Sequence, residues 1–203
     1  MSHRRLLPDV DGPAAGFDFT TAMRRLCDDI CTRLPELRHV DMSRVAVSFA
    51  QARSNVAHGL QAALTPLRFA GGARSEFRHG QQVTCQQVLN PEGVEYLYIL
   101  TFYLPRFLNH SVEEKLSTVL HELWHIGPKC DGDLRRHEGR CYVHGSSQDA
   151  YDSQMDGLAR RWLALDPPHA VYGFLEMTQA ALVAEFGPVY GQRIRSPRVL
   201  SSD

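Results

Sequence analysis

Residues 111–126, SVEEKLSTVLHELWHI, decide how the rest of the chain is read. Within them His121, Glu122 and His125 spell H-E-x-x-H. Val112, Leu116, Val119, Leu120 and Leu123 recur at helical spacing and make one apolar stripe. Thr118, His121, Glu122 and His125 fall on another face, so both imidazoles can approach a single point. Ser111 with Glu114 forms a capping box, and Gly127-Pro128 is a stop signal. Neutral imidazole is a good zinc ligand, and a catalytic zinc keeps one position open for water. A carboxylate beside the first imidazole can take a proton as that water attacks a carbonyl. The pattern therefore predicts one zinc ion per chain, with His121 and His125 as ligands and Glu122 as general base. The competing reading is a solvated helix face in a chain with ten histidines. The cap, the phase of the stripe and the β-rich run before the helix favour the metal.

Upstream, residues 94–104, VEYLYILTFYL, have strong β character and predict a central strand. Its aromatics Tyr96, Tyr98, Phe102 and Tyr103 fit sheet packing better than a stacking platform for nucleic-acid bases. Residues 83–89 predict a weaker strand. Residues 60–69, LQAALTPLRF, predict another, whose Pro66 argues for a sheet edge or a bulge. Such an edge could form one wall of a cleft in which a substrate chain lies extended. Residues 44–51, RVAVSFAQ, alternate apolar and polar as a strand does. Before them Phe19, Met23, Leu26, Ile30 and Leu34 mark a helix face that Pro35 closes. Residues 1–16 are polar and predict a flexible arm, leaving 17–200 as a single domain.

Downstream, residues 127–145 lack periodicity and predict a loop. A helix follows with Tyr151, Met155, Leu158, Trp162 and Leu165 on one face, capped by Ser146 or Ser147 and broken at Asp166-Pro167-Pro168. A last helix carries Val171, Phe174, Leu175, Thr178, Leu182 and Phe186. Arg193, Arg195 and Arg198 read as a solvated basic tail rather than a phosphate contact.

Two imidazoles from one helix do not complete a catalytic zinc site. The loop and the next helix offer Cys130, Asp131, His137, Glu138, Cys141, His144, Asp149 and Asp152. A glycine and a third histidine at metzincin spacing are replaced by Pro128 and Asp131, which excludes that pattern. His144 is favoured because it sits beside a capped helix, where backbone is fixed, and His137 is next.

The chain has 203 residues, enough for a core without disulfides, and a formal net charge of −1. That balance gives no global field towards nucleic acid or membrane, so a nucleic-acid partner has weak support. Five cysteines without a C-x-x-C pair predict reduced thiols and a cytoplasmic protein. No apolar run reaches spanning length, and residues 1–11 lack a signal-peptide core.

HELWHIGP at 121–128, DGDLRR at 131–136, HG at 144–145, YD at 151–152 and RIRSP at 193–197 together resemble the SprT-like zinc metallopeptidases, and more closely the phage metallopeptidase group. The resemblance covers about residues 40–200. It implies His121, His125 and His144 as zinc ligands, Glu122 as general base, and a peptide or protein substrate. The expectation is thus an α+β, zincin-like domain, a mostly antiparallel sheet packed on helices, acting as a zinc-dependent peptidase. The alternative expectation is a non-catalytic, zinc-stabilised module that binds protein or nucleic acid.

Overall fold

The structure, a computed structural model, describes residues 15–52, 59–136 and 148–201. In chain order the elements are β1 (Phe17–Asp18), α1 (Phe19–Arg33), β2 (Val45–Gln51), β3 (Ala62–Pro66), β4 (Ser75–Arg78), β5 (Gln81–Cys85), β6 (Val88–Leu89) and β7 (Glu95–Tyr96). Then come β8 (Tyr98–Leu104), α2 (Val112–Trp124), α3 (Gln148–Ala164), α4 (His169–Tyr172), α5 (Gln179–Phe186), β9 (Val189–Tyr190) and β10 (Val199–Ser201).

The centre of the molecule is β8, flanked by β2 and β3 in a three-stranded sheet. It reads as a continuous apolar run because both of its faces are covered: Tyr98, Leu100 and Phe102 are fully buried and Ile99 nearly so. β2 pairs with it in parallel, from Val45 opposite Tyr98 to Gln51 opposite Leu104. β3 pairs antiparallel, with Ala62 opposite Phe102, and has no second partner strand among the described residues. The edge position expected from Pro66 is therefore observed. A proline at an edge leaves no ladder bond unmade on the sheet side if its missing N–H faces outward.

α1 starts at Asp18, whose carboxylate accepts from the Thr21 N–H at 3.0 Å. It buries Phe19, Met23, Leu26, Cys27 and Ile30 against the sheet. Phe19 meets Phe102 edge-to-face at 5.8 Å, and Phe102 meets Phe107 at 4.7 Å. Each ring contributes about 1.5–3 kcal/mol through burial alone. Burial pushes the Cys27 thiol up to about 12 and raises Cys31 as well, so both stay protonated core groups.

α2 forms where its periodicity placed it. The Glu114 N–H donates to Ser111 Oγ at 3.2 Å and the Ser111 N–H to Glu114 Oε2 at 2.9 Å, which completes the capping box. Leu116, Val119, Leu120 and Leu123 are fully buried. So is Lys115, 1% exposed, whose ammonium donates to the carbonyls of Leu175 at 2.7 Å and Met177 at 3.0 Å. That pair of bonds ties α2 to the segment between α4 and α5.

Several expectations change here. The helix expected over Val171–Phe186 is α4 and α5 separated by a 3₁₀ turn, with Thr178 capping the second helix. Residues 83–89 divide into β5 and β6, and β4 pairs with β5 as a hairpin that periodicity missed. The mixture of strands and helices accords with α+β, but the zincin-like description is overturned. The described strands form four small sheets, the central one mixed rather than mostly antiparallel, and the described residues hold no metal site of H-E-x-x-H type. None of the described helices is long and apolar enough to cross a membrane.

Candidate binding cleft

The face of α2 opposite its core stripe looks into a cavity of about 890 Å³. Its walls are residues 59–62 leading into β3, α2 itself, and α3. Thr118 Oγ1 donates to Gln61 Oε1 at 3.0 Å, and Ser117 Oγ donates to Asp156. These two bonds fix α2 between the other two walls. Ala62, Met155 and Ala159 form an apolar floor, each at most 4% exposed, with Leu163 beside them. Asp152, Asp156 and Arg160 recur at i, i+4 and i+8 on α3 and reach the cleft together. Asp152 was among the candidates that the sequence offered, whereas Asp156 and Arg160 were missed although their spacing was present in it.

Glu122 lies against this cavity, 8% exposed. Burial pushes its carboxyl up to about 7, opposed by a hydrogen bond from the Leu64 N–H. The pairing of β3 explains that bond. Tyr103 N–H donates to the Gln61 carbonyl at 2.8 Å and Leu67 N–H to the Leu97 carbonyl at 2.9 Å. With the antiparallel register, Ala63 and Thr65 turn their backbone groups towards β8, whereas Ala62, Leu64 and Pro66 turn theirs away. Leu64 therefore offers its N–H to Glu122, and its carbonyl and that of Pro66 also face away from β8.

His121 and His125 meet edge-to-face, ring centroids 4.6 Å apart. The helix thus brings together the two imidazoles that its spacing put on one side. Beyond this the metal reading fails. Among the described residues no group of three or more His, Cys, Asp or Glu side chains is arranged to hold a metal ion. Two donors from one helix leave a tetrahedral zinc site half built. Cys130 turns elsewhere, its sulfur accepting from the Asp41 N–H at 3.4 Å. Asp131 accepts from the Asp133 N–H at 3.2 Å. His144, His137, Glu138 and Cys141 lie outside the described residues, and so does Asp149 as a side chain. The zinc ion, the zinc-dependent hydrolase and peptidase, and the zinc-stabilised module are all corrected by this finding.

The segment after α2 was expected to be an irregular loop, yet residues 127–136 are tightly held. Arg135 stacks on Trp124 with its guanidinium carbon 4.2 Å from the ring centroid, and its Nε donates to the Trp124 carbonyl at 2.8 Å. Tyr98 donates from its hydroxyl to the Asp133 carbonyl at 2.8 Å and accepts from the Gly132 N–H at 2.9 Å. Burial raises the Tyr98 hydroxyl well above the ordinary phenol range, so it stays protonated as that donor. Gly132 has φ +94° and a Cβ there would come within 2.4 Å of the Arg68 side chain. Only glycine fits. Sequence periodicity carries no signal for such a fold-back, because its bonds come from side chains far away in the chain.

The likeness to SprT-like and phage metallopeptidases is likewise overturned: no protein-family model, curated protein or solved structure matches this chain.

Proposed function

We propose that the cleft between β3, α2 and α3 binds a polypeptide segment in extended conformation, with a protein or peptide as the partner. The observation that supports this most is the open edge of β3 where residues 59–62 lead into it and line the cleft. Ala62 lines the cleft, its backbone N–H and carbonyl face away from β8, and an extended chain meets them at the matching 3.3–3.4 Å rise. A cavity of about 890 Å³ is larger than one side chain needs and accommodates several residues. In this reading Glu122 is the polar group at the base of the cleft, where it already holds β3 through Leu64 and offers its second oxygen to the occupant.

The test is retention of a randomised pool of blocked heptapeptides on the immobilised full-length chain. Ser117→Trp places an indole in the cleft while leaving the apolar stripe of α2 untouched, and Ser117→Ala, which loses the same bond to Asp156 without the bulk, is its control and should bind as wild type does. The expected result is binding by wild type and loss of at least about tenfold in Ser117→Trp, with circular dichroism and melting temperature little changed. Equal retention by both proteins would move the partner site away from this cleft.

A further inference from the structure

We infer that the cleft selects a segment carrying a lysine or arginine side chain; this rests on the polypeptide reading and specifies its partner. The walls have two chemically distinct parts. Low in the cleft, Ala62, Met155 and Ala159 are apolar and almost fully buried. Around the rim stand the carboxylates of Glu113, Glu114, Asp152 and Asp156, against the single guanidinium of Arg160 among the lining residues. The whole chain has a formal net charge of only −1, so this negative excess is local. Hydrogen bonds from the Ser111 backbone hold the Glu114 carboxyl below its ordinary range, so it is ionised at neutral pH.

Lysine and arginine are the side chains whose own construction matches both parts. Their methylene stems lie along apolar surface while the cationic head reaches a polar boundary. An acidic segment meets like charge at the rim.

The experiment uses the full-length chain and four heptapeptide pools, randomised except at a central lysine, arginine, norleucine or glutamate. Norleucine keeps the stem and removes the charge. Lysine and arginine pools are expected to be retained at least roughly fivefold better than norleucine, and glutamate least. The quadruple variant Glu113→Gln/Glu114→Gln/Asp152→Asn/Asp156→Asn should bring the lysine pool down to the norleucine level without changing norleucine retention. Equal retention of lysine and norleucine, with both lost in Ser117→Trp, overturns the charge preference and leaves the cleft as the peptide site. A lysine preference that survives the quadruple variant places the selecting charge elsewhere and also overturns it. If Ser117→Trp retains every pool as wild type does, the cleft itself is not the peptide site.

Discussion

Helices α1 and α2 are built alike and used differently. Each starts with a side-chain cap and each lays an apolar stripe into the common core. α1 buries only apolar side chains, two thiols that stay protonated, and the edge of Thr20. α2 buries two ionisable groups as well, Lys115 on one side and Glu122 on another. Burying an ionisable group costs free energy unless hydrogen bonds offset it. Lys115 is offset by two carbonyls and Glu122 by one N–H. The difference separates a helix that only holds the core together from one that also serves a cavity.

The comparison breaks most visibly in the core, where the two helices should behave the same. Leu26→Ala in α1 and Leu120→Ala in α2 each remove a fully buried side chain. Each is expected to cost about 2–5 kcal/mol in urea unfolding. A much smaller loss on α2 would show that its stripe is not packed as tightly as that of α1.

The buried charges should give opposite pH signatures. Burial lowers Lys115 from 10.5 to about 8 in the folded chain. Between those values the unfolded chain binds more protons, so this group makes stability rise with pH, by up to about 3 kcal/mol. Glu122 is raised from 4.5 to about 7. There the folded chain binds more protons, so its contribution is full below pH 4.5 and is lost as pH rises through about 7, again by up to about 3 kcal/mol. Denaturant titrations of wild type, Lys115→Met and Glu122→Gln across pH 4–10.5 isolate each term, because the thiols and Tyr98 are common to all three proteins. The stability of wild type relative to Lys115→Met should grow above pH 8. Relative to Glu122→Gln it should shrink between pH 4.5 and 7. A flat difference in either window would show that the native environment does not disfavour that charge.

These two residues also mark how far the sequence could be read. The stripe and cap of α2 are set by neighbours three and four residues apart, so they were legible. The same locality made the edge nature of β3 readable from Pro66. Nothing in the local pattern marked Lys115, because the carbonyls that receive it are 60 and 62 residues away. Glu122 was singled out, but for a metal whose further ligands had to come from other elements. Local pattern put two imidazoles together and could not supply the rest of a site. The polar α3 face of Asp152, Asp156 and Arg160 was written at i, i+4 and i+8, but becomes a cleft wall only where α3 packs on α2.

The smallest effect tests whether the shared construction of the two helices holds at their first turns. Asp18 accepts from the Thr21 N–H and also from the Thr21 hydroxyl at 2.7 Å. Ser111 accepts from Glu114, which returns a bond to the Ser111 N–H. Replacing either cap by alanine leaves one helix N–H without its acceptor, at a cost of about 1 kcal/mol. Ser111→Ala leaves the reciprocal bond from Glu114 in place, because that bond uses the backbone N–H. Asp18→Ala removes both of its contacts and a negative charge at the positive end of the α1 dipole. Asp18→Ala should therefore be the more destabilising of the two by a few tenths of a kcal/mol, and the difference should shrink in high salt, which screens only the charge. If Ser111→Ala instead costs more and lowers peptide retention as well, the first turn of α2 is also holding Glu113 and Glu114 at the rim of the cleft.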